Sequence, residues 1–203
     1  MSMRKHLVSN MVLLLVVLMA FFVTLFIASK AEAVEPSLYD PYIEAASDTW
    51  LPGSDWRRYK AQLYQESRLD TYAVSPAGAS GIAQFMPGTW GDVAPVLGYD
   101  LLSPFVAEPA INAGAFYLAK QMGIWTEPRS YDELRILGEA GYNAGTGNIL
   151  SAQRECRALP CLECRNWDEI SLYLHRVTGR HSAETIDYIQ KIDLWLDLIR
   201  TRQ

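Results

Sequence analysis

Trp56, Tyr59, Leu63 and Glu66 follow one another at spacings of three, four and three residues. That period places the Glu66 carboxyl on the same helical face as three large apolar side chains. A carboxyl so placed is either paired in a core or held in an apolar-walled cleft, where desolvation keeps it protonated and ready to donate a proton. Downstream, Ser75-Pro76-Ala77-Gly78-Ala79-Ser80-Gly81 reads as a turn-rich loop and leads into Ile82-Ala83-Gln84-Phe85-Met86-Pro87. The glycines permit close backbone approach, and Gln84 offers both a donor and an acceptor to a sugar hydroxyl or acetamido group. No phosphate-binding Lys and no dinucleotide-binding spacing accompany the loop, which excludes a nucleotide cradle.

The cysteines form a second chemical cluster, Cys156, Cys161 and Cys164. In an exported chain such clustering points to a local disulfide pinning a surface loop, with one thiol left over; which two pair is open. A zinc site made of the three thiolates with His175 or His181 lacks clear four-ligand spacing. A Cys-His nucleophile lacks a third, orienting group.

Helical signals dominate the elements that must position these groups. After the turn Leu51-Pro52-Gly53, Ser54 is placed to cap the helix that ends near Glu66. Ile111, Ala115, Leu118 and Met122 form an apolar stripe, with Gly114 small enough to admit a close neighbour. Ser130 with Glu133 makes a capping-box pattern ahead of a helix that runs to Tyr142, where Tyr142-Asn143-Ala144-Gly145-Thr146-Gly147-Asn148 interrupts it. Ser182 is placed to cap a last helix whose Ile186, Ile189, Ile192, Leu196 and Ile199 face the core. With no alternating strand run, the fold class is mainly α.

The ordered set of motifs resembles the soluble lytic transglycosylase (SLT) catalytic domain of the lysozyme-like superfamily. The set comprises Glu66-Ser67, Gly78-Ala79-Ser80-Gly81-Ile82-Ala83-Gln84 with Met86-Pro87 and Thr89, Asn112-Ala113-Gly114 with Tyr117-Leu118, Tyr142-Asn143-Ala144-Gly145, and Glu184-Thr185 with Tyr188. Each motif is weak alone, and the five in order are specific over approximately residues 54 to 195. The resemblance implies a lysozyme-like domain that cleaves the β-1,4 bond between N-acetylmuramic acid and N-acetylglucosamine in peptidoglycan, leaving 1,6-anhydromuramic ends. It makes Glu66 the single catalytic acid and base, with no metal and no organic cofactor expected. Tyr142 and Tyr188 become phenols that orient it, while Ser67, Gln84 and Asn143 bind saccharide or stem-peptide polar groups. Ala83 stands where many relatives carry Met, and Gly141 where many carry Ala; the first change implies a reshaped glycan groove.

Two alternatives stand beside this reading. A hydrolytic lysozyme needs a second carboxyl near the scissile bond, for which Asp70, Asp92 and Glu139 are the candidates. A non-catalytic murein-binding scaffold would not need Glu66 together with both tyrosines.

The remainder of the sequence supplies the address. Arg4, Lys5 and His6 precede Met11 to Ala28, in which only Thr24 is not apolar, and Ala31-Glu32-Ala33 follows. This is the layout of a signal peptide over residues 1–33, with an uncleaved anchor through residues 11–28 as the alternative, so the rest is exported to the periplasm or tethered to the inner membrane facing it. A lead-in segment, 34–53, then precedes the catalytic domain, 54–203. Of 203 residues, 18 are Lys or Arg and 23 Asp or Glu. Removing residues 1–33 takes away Arg4, Lys5, Lys30 and Glu32, leaving 15 basic and 22 acidic residues, a net of -7. That balance excludes a general nucleic-acid binder. All six Trp and eleven Tyr lie beyond residue 33, which suits contact with sugar rings. A compact catalytic domain behind an export signal also resembles the specialised transglycosylases that open murein for conjugation or secretion assemblies.

Overall fold

The computed structural model describes residues 37–158 and 163–201. The signal or anchor segment and Cys161 lie outside these residues. Eight α-helices occur among the described residues: α1 (Asp40–Trp50), α2 (Trp56–Ser67), α3 (Pro87–Val93), α4 (Ala107–Gly123), α5 (Tyr131–Ala144), α6 (Thr146–Arg157), α7 (Trp167–Thr178) and α8 (Ser182–Arg200). Pairing of β type is limited there to the isolated bridges Val74 with Ser80 and Ser80 with Phe85, inside the loop after α2. The mainly α expectation therefore holds. None of these helices is long and apolar enough to cross a membrane.

The apolar stripe of α4 forms the centre of the packing, with Ile111, Ala115 and Leu118 fully buried and Met122 nearly so. Tyr59 and Leu63 of α2 join the same cluster. So do Ile43, Ala46 and Leu51, which places α1, in the 34–53 stretch, against the same core. Burial of each such Ile or Leu contributes roughly 1.5 to 3 kcal/mol, which explains why a four-residue stripe suffices to seat a helix. Along α8, Ile189, Ile192, Leu196 and Ile199 are buried as the period requires, and Ile186 is half-buried.

Two caps differ from the sequence expectation. Asp55, not Ser54, starts α2, its carboxylate accepting from the Arg57 N–H at 3.1 Å. A carboxylate is the stronger acceptor at a helix N-terminus, and the helix begins one residue later for it. Ser182 is already helical, and its hydroxyl donates to the Gly179 carbonyl at 2.8 Å instead of accepting a cap bond. The tight turn Gly179–His181 feeds straight into α8, so the backbone supplies the entrance that a cap would otherwise make. Ser130 does cap α5, accepting from the Glu133 N–H at 3.2 Å. The Glu133 carboxylate accepts from the Trp167 N–H at 3.0 Å, tying α5 to α7.

Helix α2 packs along α8, α5 packs on both α4 and α8, and α6 packs on α7. Cys156 of α6 is bonded to Cys164, closing the loop between α6 and α7. This decides the open pairing and removes two of the thiolates the zinc alternative required.

Candidate active site

Glu66 sits in the last turn of α2, and the helix stops abruptly behind it. Arg68 and Leu69 both take left-handed backbone angles, φ +58° and +62°. For Leu this conformation is costly, of order 1 kcal/mol or more, and it persists because Leu69 packs against the core cluster. The chain is thereby turned so that the loop 70–86 folds back over the end of α2. Ser67 secures that return, its hydroxyl donating to the Ile82 carbonyl at 2.8 Å. Gly81 makes the fold-back fit: at φ +77° it lies so close to the loop before α4 that a Cβ would fall 1.9 Å from the Pro104 oxygen.

A cavity of about 410 Å³ opens above Glu66. Ser75, Ala77, Ala79, Gln84 and Met86 of the loop form one wall, Tyr142 and Asn143 of α5 a second, and Glu184, Asp187, Tyr188 and Lys191 of α8 a third. Tyr188 donates its hydroxyl hydrogen to Glu66 Oε1 at 2.6 Å, joining residues 122 apart in the chain. Burial pushes the Glu66 carboxyl up from 4.5 to about 7, against the lowering effect of the Tyr188 hydrogen bond. Burial first, and then the neighbouring Glu66 charge, hold both Tyr188 and Tyr142 well above the ordinary phenol range, so both hydroxyls remain donors.

Tyr142 lines the cavity but spends its proton elsewhere, donating to the Ala83 carbonyl at 2.7 Å. It thus pins the loop to α5, whereas the direct bond to Glu66 comes from Tyr188. Gly114 makes the arrangement possible. A Cβ there would lie 2.5 Å from the Tyr59 hydroxyl, 3.1 Å from the Ala83 Cβ and 3.6 Å from the Tyr142 hydroxyl. Tyr59 in turn donates to the Ile111 carbonyl at 2.6 Å.

Gln84, at φ +48°, donates through Nε2 to the Gly81 and Ala73 carbonyls at 2.9 and 3.2 Å. Its Oε1 is the end left to meet a ligand. Asn143 is exposed on the cavity wall and also borders an adjoining cleft of about 340 Å³, lined further by Asn148, Thr178, His181 and Glu184. Ser67 is absent from the lining; its hydroxyl holds the loop. Ala83 is fully buried beside Gly114 and does not line the cavity. The glycine at 141 has a local cause: a Cβ there would meet Thr146 Oγ1 at 2.5 Å.

Of the candidate second carboxyls, none lines the cavity. Asp70 accepts from the Tyr72 N–H in the turn after α2, and Glu139 is fully buried against two guanidinium groups. The cavity's own additional carboxyls are Glu184 and Asp187, neither of them among the sequence candidates. Their signal is present: Glu184, Asp187, Tyr188 and Lys191 recur at helical spacing and so share one face of α8. Asp187 pairs with Lys191 at 2.7 Å. No group of three or more His, Cys, Asp or Glu positioned to hold a metal ion occurs among the described residues.

The family model described as the transglycosylase SLT domain matches residues 42–160. Membrane-bound lytic murein transglycosylase F of Desulfosudis oleivorans is 25% identical over 176 residues, covering 81% of this chain and 37% of that protein. Membrane-bound lytic murein transglycosylase F 1 of Alkalilimnicola ehrlichii is 29% identical over 181 residues, covering 80% and 33%. The chain thus spans about a third of the length of these curated relatives. Among solved structures, the 70 kDa soluble lytic transglycosylase of Escherichia coli superposes with a TM-score of 0.60 at 22% identity, over 82% of this chain and 24% of that one. An inactive mutant of the lytic transglycosylase Slt from Pseudomonas aeruginosa gives a TM-score of 0.62 at 22% identity, with the same coverage.

Proposed function

The chain belongs to the transglycosylase SLT domain family, and on that footing we propose that it is a peptidoglycan lytic transglycosylase with Glu66 as its acid and base. The observation that carries the reading is the Glu66 carboxyl, half-buried at the base of the cavity, protonated up to about pH 7 and aimed by Tyr188 at 2.6 Å. Protonated Glu66 donates to the glycosidic oxygen between N-acetylmuramic acid and N-acetylglucosamine, and the N-acetylglucosamine leaves with its 4-hydroxyl restored. The carboxylate so formed then takes the proton of the muramic C6 hydroxyl as that oxygen bonds to the anomeric carbon. The glycan bond is exchanged for an internal one, no water is consumed, and Glu66 regains its starting state. Holding the C6 hydroxyl against its own anomeric carbon makes the attack intramolecular, a large advantage over capture of free water. One carboxyl is enough for both steps, and its proton affinity near neutrality suits both directions of transfer. Gln84 Oε1 and Asn143 are the polar groups proposed to hold saccharide or stem-peptide amides, with Tyr142 keeping the Gln84 loop in place.

Digestion of purified murein by the full chain, followed by mass spectrometry of the muropeptides, tests the reading. The expected products carry 1,6-anhydro ends, and Glu66→Gln abolishes turnover. Reducing ends would move the assignment to a hydrolytic lysozyme drawing on Glu184 or Asp187. Turnover by Glu66→Gln would remove Glu66 from its role, and none by the wild type would favour a binding scaffold.

The same reading puts the enzyme in the periplasm or on the inner membrane facing it. The 1–33 segment supports this, as does the Cys156–Cys164 disulfide, which belongs in an oxidising compartment. The mass of the protein recovered from the envelope separates a cleaved signal from an anchor. A place in a conjugation or secretion apparatus is the further part of the reading; pull-downs from envelope extracts should recover its components, and recovery of none would count against it.

A further inference from the structure

Three helices each deliver one group to the site: Glu66 from α2, Tyr142 from α5 and Tyr188 from α8. A single side chain behind the site ties the same three together. Arg58 lies on α2 eight residues before Glu66, about 12 Å along the helix. Its Nε and Nη2 grip the two oxygens of Glu139 on α5, at 2.9 and 2.7 Å, and its Nη1 reaches Asp193 on α8 at 2.9 Å. Arg135, one turn before Glu139, adds a second bond to Oε1 at 2.9 Å. Glu139 stands three residues before Tyr142 and Asp193 five after Tyr188.

We propose that Arg58 is a positioning residue for the Glu66 reaction, holding the three site-bearing helices in register through Glu139 and Asp193; the proposal rests on the reading of Glu66 as proton donor. Stability alone is a poor account of the cluster. Glu139 and Arg135 are 0% and 1% exposed, Arg58 17%, and an ion pair so desolvated is often no more stabilising than apolar side chains of the same volume. A forked guanidinium instead fixes direction and distance in a way that sliding apolar surfaces do not. The two cations and two anions balance, and the Glu66 proton is governed by burial and Tyr188. Geometry is what remains. It matters because an error of ~1 Å in placing a reacting group can cost about 100-fold in rate.

The test measures kcat and KM of the full chain on soluble murein glycan strands for the wild type, Arg58→Met, Arg58→Lys, Asp193→Asn and Glu66→Gln. Ile170→Val on α7 serves as a destabilised control away from the cluster. All are assayed at one temperature, well below the lowest melting midpoint among them. Arg58→Met should lose about tenfold or more in kcat with KM within about twofold, Arg58→Lys should recover part of the loss, and Ile170→Val should keep the wild-type kcat. A folded Arg58→Met with wild-type kcat overturns the proposal, as does an equal fall in kcat for Ile170→Val. Should Arg58→Met not fold, Asp193→Asn decides, because Asp193 is half exposed: a several-fold fall in kcat at unchanged KM supports the clamp, and an unchanged kcat overturns it. Turnover surviving in Glu66→Gln would fail the reading of Glu66 and this proposal together. A dead Glu66→Gln beside a fully active Arg58→Met fails the clamp alone.

Discussion

Replacing Glu66 by Gln should stabilise the protein at pH 8 and leave its stability nearly unchanged at pH 4. Glu66 ionises near 7 in the folded protein, and an unfolded chain releases that proton near 4.5. Between those values the folded state keeps a proton the unfolded state has lost, so stability falls as pH rises through the window and levels off above pH 7. One pKa unit corresponds to about 1.4 kcal/mol, which makes the full loss about 3 kcal/mol. Gln has no proton to lose and can still accept from Tyr188, so the variant escapes the loss. Urea unfolding of both full chains at pH 4 and pH 8, followed by tryptophan fluorescence, reads the difference directly. The expected result is a gain of up to about 3 kcal/mol at pH 8, equivalent to roughly 6 to 12 °C in melting midpoint for a chain of this size, and a few tenths at most at pH 4. A gain of the same size at both pH values, or none at pH 8, would refute the argument that burial holds the proton on Glu66.

The other predictions concern the groups around it. Tyr188→Phe removes the hydrogen bond that lowers the Glu66 proton affinity, so the alkaline limb of the murein-cleavage pH profile should move upward while kcat falls several-fold for want of orientation. Gly114→Ala drives a methyl group to 2.5 Å from the Tyr59 hydroxyl and 3.1 Å from Ala83. It should cost about 1 to 3 kcal/mol in urea unfolding and depress turnover, because the atoms that yield are those supporting Tyr142 and the Gln84 loop. Reduction of Cys156–Cys164, which are eight residues apart, should lower stability by about 2.5 kcal/mol on loop entropy while leaving kcat at 25 °C intact.

Much of the site is legible in the sequence. The run Trp56, Tyr59, Leu63, Glu66 identified a carboxyl on an apolar face, because helical period alone decides which side chains share a side. Ser130 announced its helix and Gly114 a close approach, each through a local chemical requirement. Where two neighbouring residues competed for one task, as Ser54 and Asp55 did for the α2 cap, sequence pattern chose the wrong one by a single position. Ser67 and Ala83 were not legible for a different reason. Both occur in motifs next to the site, yet Ser67 turns to the Ile82 carbonyl and Ala83 to Gly114, and adjacency in a motif does not set the direction of a side chain.

By itself the sequence determined the helices, the apolar stripe of α4, the candidate acid at position 66 and the family, since these depend on residue type and on spacings within a few turns. Tertiary structure alone decided that Tyr188 is the phenol that holds Glu66 and that Tyr142 holds the loop. It also decided that Cys156 pairs with Cys164, and that Glu139 is gripped by Arg58 and Arg135 away from the cleft. Those outcomes join residues up to 122 positions apart. Apart from the disulfide, which closes the loop between α6 and α7, they follow from how α2, α5 and α8 cross and what each crossing desolvates, and neither quantity is written in the local pattern of any one helix.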